Sequence, residues 1–297
     1  MTTPCEPTES PITHLVATFL TDLANAHRSA HTQRAYATEL RTFTTFHPGP
    51  LATVTPSVLR AYFTQRGHLQ AASRARMQAV LTSFFTRAVR QGQLAQNPMA
   101  LVQRVTVETP PPRPKPRQQV EAIFAVIPKQ HRRDKLLFKL MFELGLRISE
   151  ALTLYVEDVS LDHDNERITV VGKGNKRRTL LLDDPTLVKD LRTHLQHTGY
   201  THGLLFRATK NGDGGPLRYQ TMQERWAGYC ATAGIACTLH QLRHSHASEL
   251  VSDGVSLATV RKRLGHVSIQ TTLRYAEQAD GTSDAELRAW RRTKQRA

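Results

Sequence analysis

The stretch VETPPPRPKPRQ, Val107 to Gln118, divides the sequence and decides how the rest of it is organised. Proline lacks a backbone N–H, so neither a helix nor a central strand persists where proline alternates with basic residues. Such a composition favours an extended chain between two folded parts. The sequence therefore predicts a helical domain at residues 10–106, a basic linker at 107–118 and a second domain at 119–297.

Four stretches before the linker repeat apolar residues at helical spacing, with Ser, Thr or Pro near their starts. They are ITHLVATFLTDLANAH, HTQRAYATELRTFTTFH, TPSVLRAYFTQR and AASRARMQAVLTSFFTRAVRQG. In the second stretch Tyr36, Leu40 and Phe43 share one face, which leaves Arg34 and Arg41 for solvent or a partner. We expect a small four-helix domain, a pattern that also fits a plain interaction module.

The chain after the linker mixes two periodicities. QQVEAIFAVIP and DKLLFKLMFELGLRISEALTLYVEDV are helical, whereas RITVVGKGNKRRTLLL alternates like two strands around a glycine-bearing turn. The remainder, from TMQERWAGYCATAG to the basic AELRAWRRTKQRA, is helical again. The predicted fold class is mainly α with a small β element (α+β).

The charge balance points to a polyanionic partner. Of the 297 residues, 40 are Lys or Arg and 25 are Asp or Glu, a formal net charge of +15. Nucleic acid is the first candidate. An anionic membrane is the second, but the sequence contains neither a long apolar run nor a basic segment followed by an apolar one at its start. We expect a soluble, cytoplasmic protein with no membrane partner.

The cysteines predict no disulfide framework. Cys5, Cys230 and Cys237 are too few and too irregularly spaced for one, or for a zinc site built from cysteine pairs. We interpret them as reduced thiols.

The motif GLRISEAL, Gly145 to Leu152, contains the first candidate phosphate ligand. Gly145 suits a helix C-terminus and Ser149 lies near the next helix start, which places Arg147 in a short connection. Glu150, three residues on, is close enough to orient the guanidinium for a bidentate phosphate contact. A surface salt bridge or a helix-turn-helix fits the same residues.

The motif VGKGNKRR places Lys173 between two glycines at a hairpin tip, where backbone approaches a phosphate closely. Lys176, Arg177 and Arg178 follow at once, so the hairpin is predicted to contact a nucleic-acid backbone. A solvated turn lysine is the alternative. Hairpin registers are hard to fix from sequence, so Lys176, three residues on, competes with Lys173 for the position at the hairpin tip. The sequence contains no P-loop motif, so nothing in it supports nucleotide hydrolysis.

The motif LHQLRHSHASEL holds three histidines, which raises the hypothesis of a metal site. His240 and His244 share a helical face, but His246 does not join them and no H-E-x-x-H pattern completes a ligand set. We predict no metal. His240 and Arg243, three residues apart, are instead expected to face one phosphate.

The last motif, VSLATVRKRLGHVSIQTTLRYAE, predicts two helices separated by a glycine. Ser256 caps the first, Gly265 ends it and Ser268 caps the second. His266 then lies in the connection, and Tyr275 lies about two turns into the second helix. Taken by itself, an aromatic residue at this spacing from Leu273 is most often a packing residue.

These motifs, taken in order, resemble the signature of the tyrosine recombinase (phage integrase) family. LGLRISEAL, HQLRHSHASEL and RLGHVSIQTTLRYAE are similar to its three best-known boxes. HTQRAYATELRTFTTF and RMQAVLTSFFTRAVRQGQLAQNP are similar to the core-binding domain of Xer-type and integron-type members. The resemblance covers nearly the whole chain. It implies a four-helix, SAM-like core-binding domain followed by a tyrosine-recombinase catalytic domain.

The resemblance implies that Tyr275 attacks a scissile DNA phosphate, leaving a 3′-phosphotyrosyl link and a free 5′-hydroxyl. Arg147 and Arg243 would neutralise the non-bridging oxygens, whose charge grows in the transition state. Glu150 matches the acidic residue that supports the first arginine. A departure from the family pattern is Gln241, where an acidic residue is common; we expect it to matter little.

The resemblance also assigns the proton transfers. Lys173 would protonate the departing 5′ oxygen, His240 would assist proton transfer at Tyr275, and His266 would hydrogen-bond the phosphate. Exchanging a phosphodiester for a phosphotyrosine roughly conserves bond energy, so no cofactor, metal or ATP is required.

The implied partner is double-stranded DNA with inverted-repeat core sites, bound by a homotetramer that passes through a four-way junction, with or without a second recombinase. The residues predicted to contact DNA are Arg34, Arg41, Arg74, Arg76, Lys176, Arg177 and Arg178. Two other functions remain open on the sequence: a catalytically silent DNA-binding accessory protein of the same fold, and a type IB topoisomerase-like DNA relaxing enzyme.

Overall fold

The computed structural model describes residues 12–26, 28–107, 113–172, 174–208, 214–265 and 273. The chain forms two compact units, residues 1–109 and 110–297. In the described ranges no helix combines the length and the apolar character needed to cross a membrane.

The first unit contains the four helices that the sequence predicts. They are α1 (Ile12–Asn25), α2 (Ala30–Phe46), α3 (Pro56–Gln65) and α4 (Ala71–Arg90). Side-chain caps fix two of the starts: Ser29 Oγ accepts a hydrogen bond from the Thr32 N–H, and Thr55 Oγ1 accepts one from the Val58 N–H. These bonds satisfy donors that a helix leaves unpaired in its first turn.

Aromatic rings fill the core of the first unit. Phe43 and Tyr62 are buried and meet edge to face with 5.1 Å between ring centroids, a favourable geometry for aromatic pairs. Leu40 is buried beside them, whereas Arg34 and Arg41 on the same helix are exposed. The face predicted for α2 is therefore the one that packs.

The second unit is mostly helical. Its helices are α5 (Arg117–Ala125), α6 (Arg132–Glu143), α7 (Ile148–Leu152), α8 (Pro185–Thr198), α9 (Tyr219–Ala233), α10 (Leu239–Ser252) and α11 (Leu257–Leu264). Trp226 on α9 is buried against Phe138 of α6, with 4.8 Å between ring centroids. Its indole N–H donates to the Cys237 carbonyl at 2.8 Å, so this large side chain is buried without an unpaired donor.

A three-stranded antiparallel sheet interrupts the helices, in the order β1 (Val159–Ser160), β2 (Arg167–Val171) and β3 (Arg177–Leu181). The hairpin register pairs Val171 with Arg177 and Ile168 with Leu180. Ile168, Val170 and Leu180 are buried, as alternation along a half-buried sheet requires. The two predicted strands and the mixed fold class are confirmed; β1 is too short for its periodicity to be recognised.

The segment from Arg113 to Arg117 lies along one face of α10. Every second residue of this extended segment contacts every fourth residue of the helix, because both spacings cover about 6 Å. The pairs are Arg113 O with Gln241 Nε2 at 2.9 Å, Lys115 N with Ser245 Oγ at 2.7 Å, and Arg117 Nε with Glu249 Oε1 at 2.5 Å. Helix α5 begins at Arg117, with Pro116 as its N-cap, inside the predicted linker. The domain limits 10–106, 107–118 and 119–297 stay a prediction.

Candidate active site

One buried carboxylate, that of Glu150, organises the candidate site. The carboxylate belongs to the third residue of α7, whose N-cap is Arg147. Glu150 Oε2 accepts the Arg147 backbone N–H at 2.9 Å, and Oε1 accepts Arg147 Nη1 at 2.8 Å. The backbone bond caps the helix and the side-chain bond orients the guanidinium. Because 37% of the Arg147 side chain is exposed, this oriented guanidinium remains accessible to a ligand.

A turn at Gly145 creates the short connection that holds Arg147. Helix α6 ends at Glu143, and Gly145 adopts a φ of +63°, which L side chains rarely adopt. A Cβ on Gly145 would lie 2.5 Å from Leu264 Cδ2 and 2.7 Å from His246 Cδ2. Glycine is therefore needed here both for its φ and for the close approach of α10 and α11.

Arg243 approaches the same carboxylate from α10, with its Nη1 3.8 Å from Glu150 Oε2. The side chain is 2% exposed. Its Nη1 donates to Gly145 O at 2.6 Å and its Nη2 donates to Leu264 O at 2.7 Å. A charge buried this deeply is stable only when its hydrogen bonds are satisfied. The two arginines predicted as phosphate ligands, 147 and 243, thus meet at one glutamate.

A third arginine completes the cluster. Arg178 on β3 donates to Glu150 Oε1 at 3.0 Å through Nη1 and to Oε2 at 2.9 Å through Nη2. Burial alone would raise the pKa of Glu150, but the hydrogen bonds and charge of Arg178, together with the Arg147 N–H, hold that pKa below its ordinary value. Three guanidinium groups surround one carboxylate, so the cluster keeps an excess of positive charge.

The histidines of α10 have distinct surroundings. His240 is exposed and its ring meets that of His244 edge to face, with 4.4 Å between centroids. Desolvation, with the charges of Arg243 and Arg147, lowers the pKa of His240, so its imidazole is neutral near pH 7. His246 is buried, and its Nε2 accepts Arg263 Nε at 3.2 Å.

His246 therefore does not join the other two histidines in a ligand set. Within the described ranges, no group of three or more His, Cys, Asp or Glu side chains is arranged to hold a metal ion.

Two family models match this chain. The phage integrase family model matches residues 116–281, and the phage integrase N-terminal SAM-like domain model matches residues 16–92. The chain is 31% identical over 274 residues to the tyrosine recombinase XerC of Mycobacterium tuberculosis, covering 85% of this chain and 89% of XerC.

The chain belongs to the phage integrase family. The family read from the sequence motifs is confirmed, and so is the prediction of an enzyme of the tyrosine recombinase class.

Other matches differ in how much of the chain they cover. The chain is 33% identical over 159 residues to the tyrosine recombinase XerA of Pyrococcus furiosus, spanning 53% of this chain and about half, 54%, of XerA. Among solved structures, the XerH site-specific recombinase bound to palindromic difH substrate aligns with a TM-score of 0.76 at 19% identity, covering 98% of this chain and all of XerH. A lambda integrase tetramer bound to a Holliday junction gives a TM-score of 0.73 at 18% identity, covering 87% of this chain and 78% of the integrase. At these identities the structures support the fold.

Three predicted catalytic residues, Lys173, His266 and Tyr275, lie outside the described residues. Lys173 follows Gly172, the residue after β2, and His266 follows Gly265, which ends α11 with a φ of +65°. Gly265 is the stop predicted for that helix, and its predicted cap, Ser256, accepts the Thr259 N–H through its Oγ.

The residues predicted to contact DNA differ in exposure. Those that are exposed are Arg34, Arg41, Arg76, Lys176 and Arg177, whereas Arg74 is half-buried. Only 12% of the Arg178 side chain is exposed. Its guanidinium donates hydrogen bonds to Glu150 and to the Arg263 carbonyl at the end of α11. These DNA contacts stay predictions.

Sequence reasoning missed the internal role of Arg178, although a signal was present. Side chains alternate along a strand, so Arg178 shares the inward face with the buried Leu180, while Arg177 and Thr179 are exposed on the other face. Grouping Lys176, Arg177 and Arg178 as one basic run concealed this difference.

Proposed function

We propose that this chain is a site-specific DNA recombinase that cuts and rejoins strands through a covalent bond between Tyr275 and a 3′-phosphate. The observation that carries the proposal is the convergence of Arg147, which caps α7, and Arg243, which lies on α10, on the buried Glu150 carboxylate. A plain DNA-binding fold has no need for a preorganised cluster of this kind, whereas phosphoryl transfer does.

The arginine cluster provides the phosphate site. In phosphoryl transfer, negative charge is spread over the oxygens of the transferred group, and fixed guanidiniums stabilise it without reorganisation. The Arg147 guanidinium is oriented by its hydrogen bond to Glu150 Oε1, and that of Arg243 by two backbone carbonyls. We assign both to the non-bridging oxygens of the scissile phosphate.

Proton transfer requires a base at Tyr275 and an acid at the leaving 5′ oxygen. A phenol has a pKa of about 10, so Tyr275 reacts near neutrality only with help from a base or from positive charge. Desolvation and the charges of Arg243 and Arg147 lower the pKa of His240, which favours the neutral imidazole, the form that accepts that proton. We assign the acid to Lys173 and a phosphate hydrogen bond to His266.

The proposed substrate is double-stranded DNA carrying inverted-repeat core sites. The net charge of +15 suits backbone contacts, and we assign the exposed Arg34, Arg41 and Arg76 to such contacts. The XerH structure contains a palindromic substrate, and the lambda integrase structure is a tetramer on a Holliday junction. We propose the same type of substrate and a homotetrameric complex for this chain, acting in the cytoplasm.

A covalent-capture assay tests the chemistry. The protein is incubated with nicked duplexes of candidate sites, including palindromic ones, in EDTA, and the products are denatured. We expect a protein–DNA adduct that disappears in Tyr275→Phe and persists in Tyr219→Phe, a matched control at an exposed tyrosine on α9. An adduct that survives Tyr275→Phe would contradict the assignment of the nucleophile.

A second assay separates recombination from the two alternatives. Two labelled duplexes with cleavable sites are expected to give a four-way junction and exchanged products. Relaxation of supercoiled plasmid without junctions would instead indicate a topoisomerase-like enzyme, and salt-sensitive binding without any adduct would indicate an accessory DNA-binding protein.

A further inference from the structure

Arg178 joins β3 to the Glu150 carboxylate through hydrogen bonds from both Nη atoms of its guanidinium. The strand start is exposed at Arg177, but the Arg178 side chain turns inward. A Cβ added to Gly172, across the hairpin, would lie 3.5 Å from both Arg178 Nη1 and Glu150 Oε1. The end of the hairpin next to its turn is therefore packed directly on this ion pair.

The third nitrogen of the same guanidinium reaches a different element. Arg178 Nε donates to Arg263 O at 2.9 Å, and the next carbonyl, Leu264 O, accepts Arg243 Nη2 at 2.7 Å. Carbonyls in the last turn of a helix lack intrahelical partners and carry partial negative charge, so cationic donors are favoured there. The end of α11 is thus held by two arginines, both of which approach Glu150.

We propose, on the basis of the function proposed above, that Arg178 is a positioning residue for strand cleavage. By pairing with both oxygens of Glu150 it holds the carboxylate that orients Arg147. By donating to Arg263 O it fixes the end of α11, the element to which Arg243 is bonded. One planar side chain therefore sets the separation of the two phosphate-binding arginines.

The geometry favours this role over a direct DNA contact. Binding a DNA phosphate through Arg178 would require breaking its hydrogen bonds to both oxygens of a buried carboxylate and to the Arg263 carbonyl. Lysine reproduces the charge but has no planar fork, so it cannot serve two carboxylate oxygens and a carbonyl at once.

The test compares single-turnover cleavage of a nicked duplex at saturating protein. Arg178→Gln is expected to lower the cleavage rate at least about 30-fold, because small displacements of reacting groups cost up to about 100-fold. DNA affinity is expected to change less than about threefold, since the guanidinium faces the protein interior. Arg178→Lys is expected to fold and to recover part of the rate.

The matched control is Arg167→Gln on the neighbouring strand, which removes an equal charge. Arg167 is exposed and its Nε donates to Asn165 Oδ1 at 2.6 Å within the adjacent turn. Its cleavage rate is expected to equal that of the wild type. An equal loss of cleavage rate in this control would show that the positive charge on the sheet, rather than the pairing of Arg178 with Glu150, sets the rate.

A double-mutant cycle decides whether Arg178 acts through Glu150. If it does, Arg178→Gln combined with Glu150→Gln cleaves about as slowly as the worse single variant, whereas independent effects multiply. The proposal is overturned if the effects of the two substitutions multiply. It is also overturned if Arg178→Gln cleaves within about threefold of the wild-type rate, or if its defect is confined to DNA affinity. Failure of the proposed function is distinct, because the wild type itself would then form no Tyr275-dependent adduct.

Discussion

Replacing Gly145 with alanine tests how tightly the candidate site is built. The residue has a φ of +63°, and a Cβ would approach Leu264 Cδ2 to 2.5 Å and His246 Cδ2 to 2.7 Å. The left-handed backbone alone costs an L residue about 1–2 kcal/mol. Forcing a methyl group into a filled site costs about 1–3 kcal/mol more. We therefore expect Gly145→Ala to lower the free energy of unfolding by about 2–5 kcal/mol.

Gly234→Ala separates the two contributions. Gly234 ends α9 with a φ of +65°, and no atom lies within 4 Å of its added Cβ, so only the backbone cost of about 1–2 kcal/mol applies. Urea unfolding is followed by the fluorescence of the buried Trp226 in a Trp290→Phe background. Equal losses at the two glycines would refute the claim that the approach of α10 and α11 requires glycine at 145.

Two further variants probe the surroundings of the site. Burial, followed by the charges of Arg263, Arg243 and Arg117, lowers the pKa of His246 from 6.5 to about 3. Stability from this group is complete above pH 6.5 and falls as pH drops, so the wild type is expected to lose about 2 kcal/mol more than His246→Gln between pH 7 and 5. Urea titrations at each pH measure the difference. The control is His163→Gln, at a histidine whose side chain is 89% exposed. Parallel pH profiles of stability for the wild type and His246→Gln would contradict the prediction. Arg117→Ala removes ion pairs to Glu143 and Glu249 and a cation–π contact 4.7 Å from the Phe142 centroid, with an expected loss of about 1–3 kcal/mol. The same denaturation of the exposed Arg132→Ala should show almost no change, and an equal loss there would mean that general charge, not this network, stabilises the segment.

The helices and the hairpin were predictable because their signals are local. Alternation of Ile168 and Val170 identifies β2, and Ser256 and Gly265 mark the two ends of α11 without reference to the rest of the fold. The pairing of Arg147 with Glu150 was also predictable, since the two lie three residues apart at a helix start.

The convergence at Glu150 could not be derived from spacing. Arg178 and Arg243 lie on a strand and a helix far along the chain, and only tertiary packing brings them to one carboxylate. Gln241 illustrates the same limit. Its Oε1 accepts the Thr238 N–H, as an acidic residue would, but its Nε2 donates to Arg113 O, which a carboxylate cannot do. The amide is therefore matched to a segment distant in sequence.

The contacts of residues 113–117 with α10 carry a consequence for building hybrid recombinases. An N-terminal unit from another protein is best joined before Arg113, because a junction at Gln118 would substitute the residues that bond to Gln241, Ser245 and Glu249. His240 directly precedes Gln241 on this helix, and Arg243 lies between Gln241 and Ser245. A graft that replaces these contacts would disturb the helix that carries two of the proposed catalytic residues, whereas a junction upstream of Arg113 preserves them.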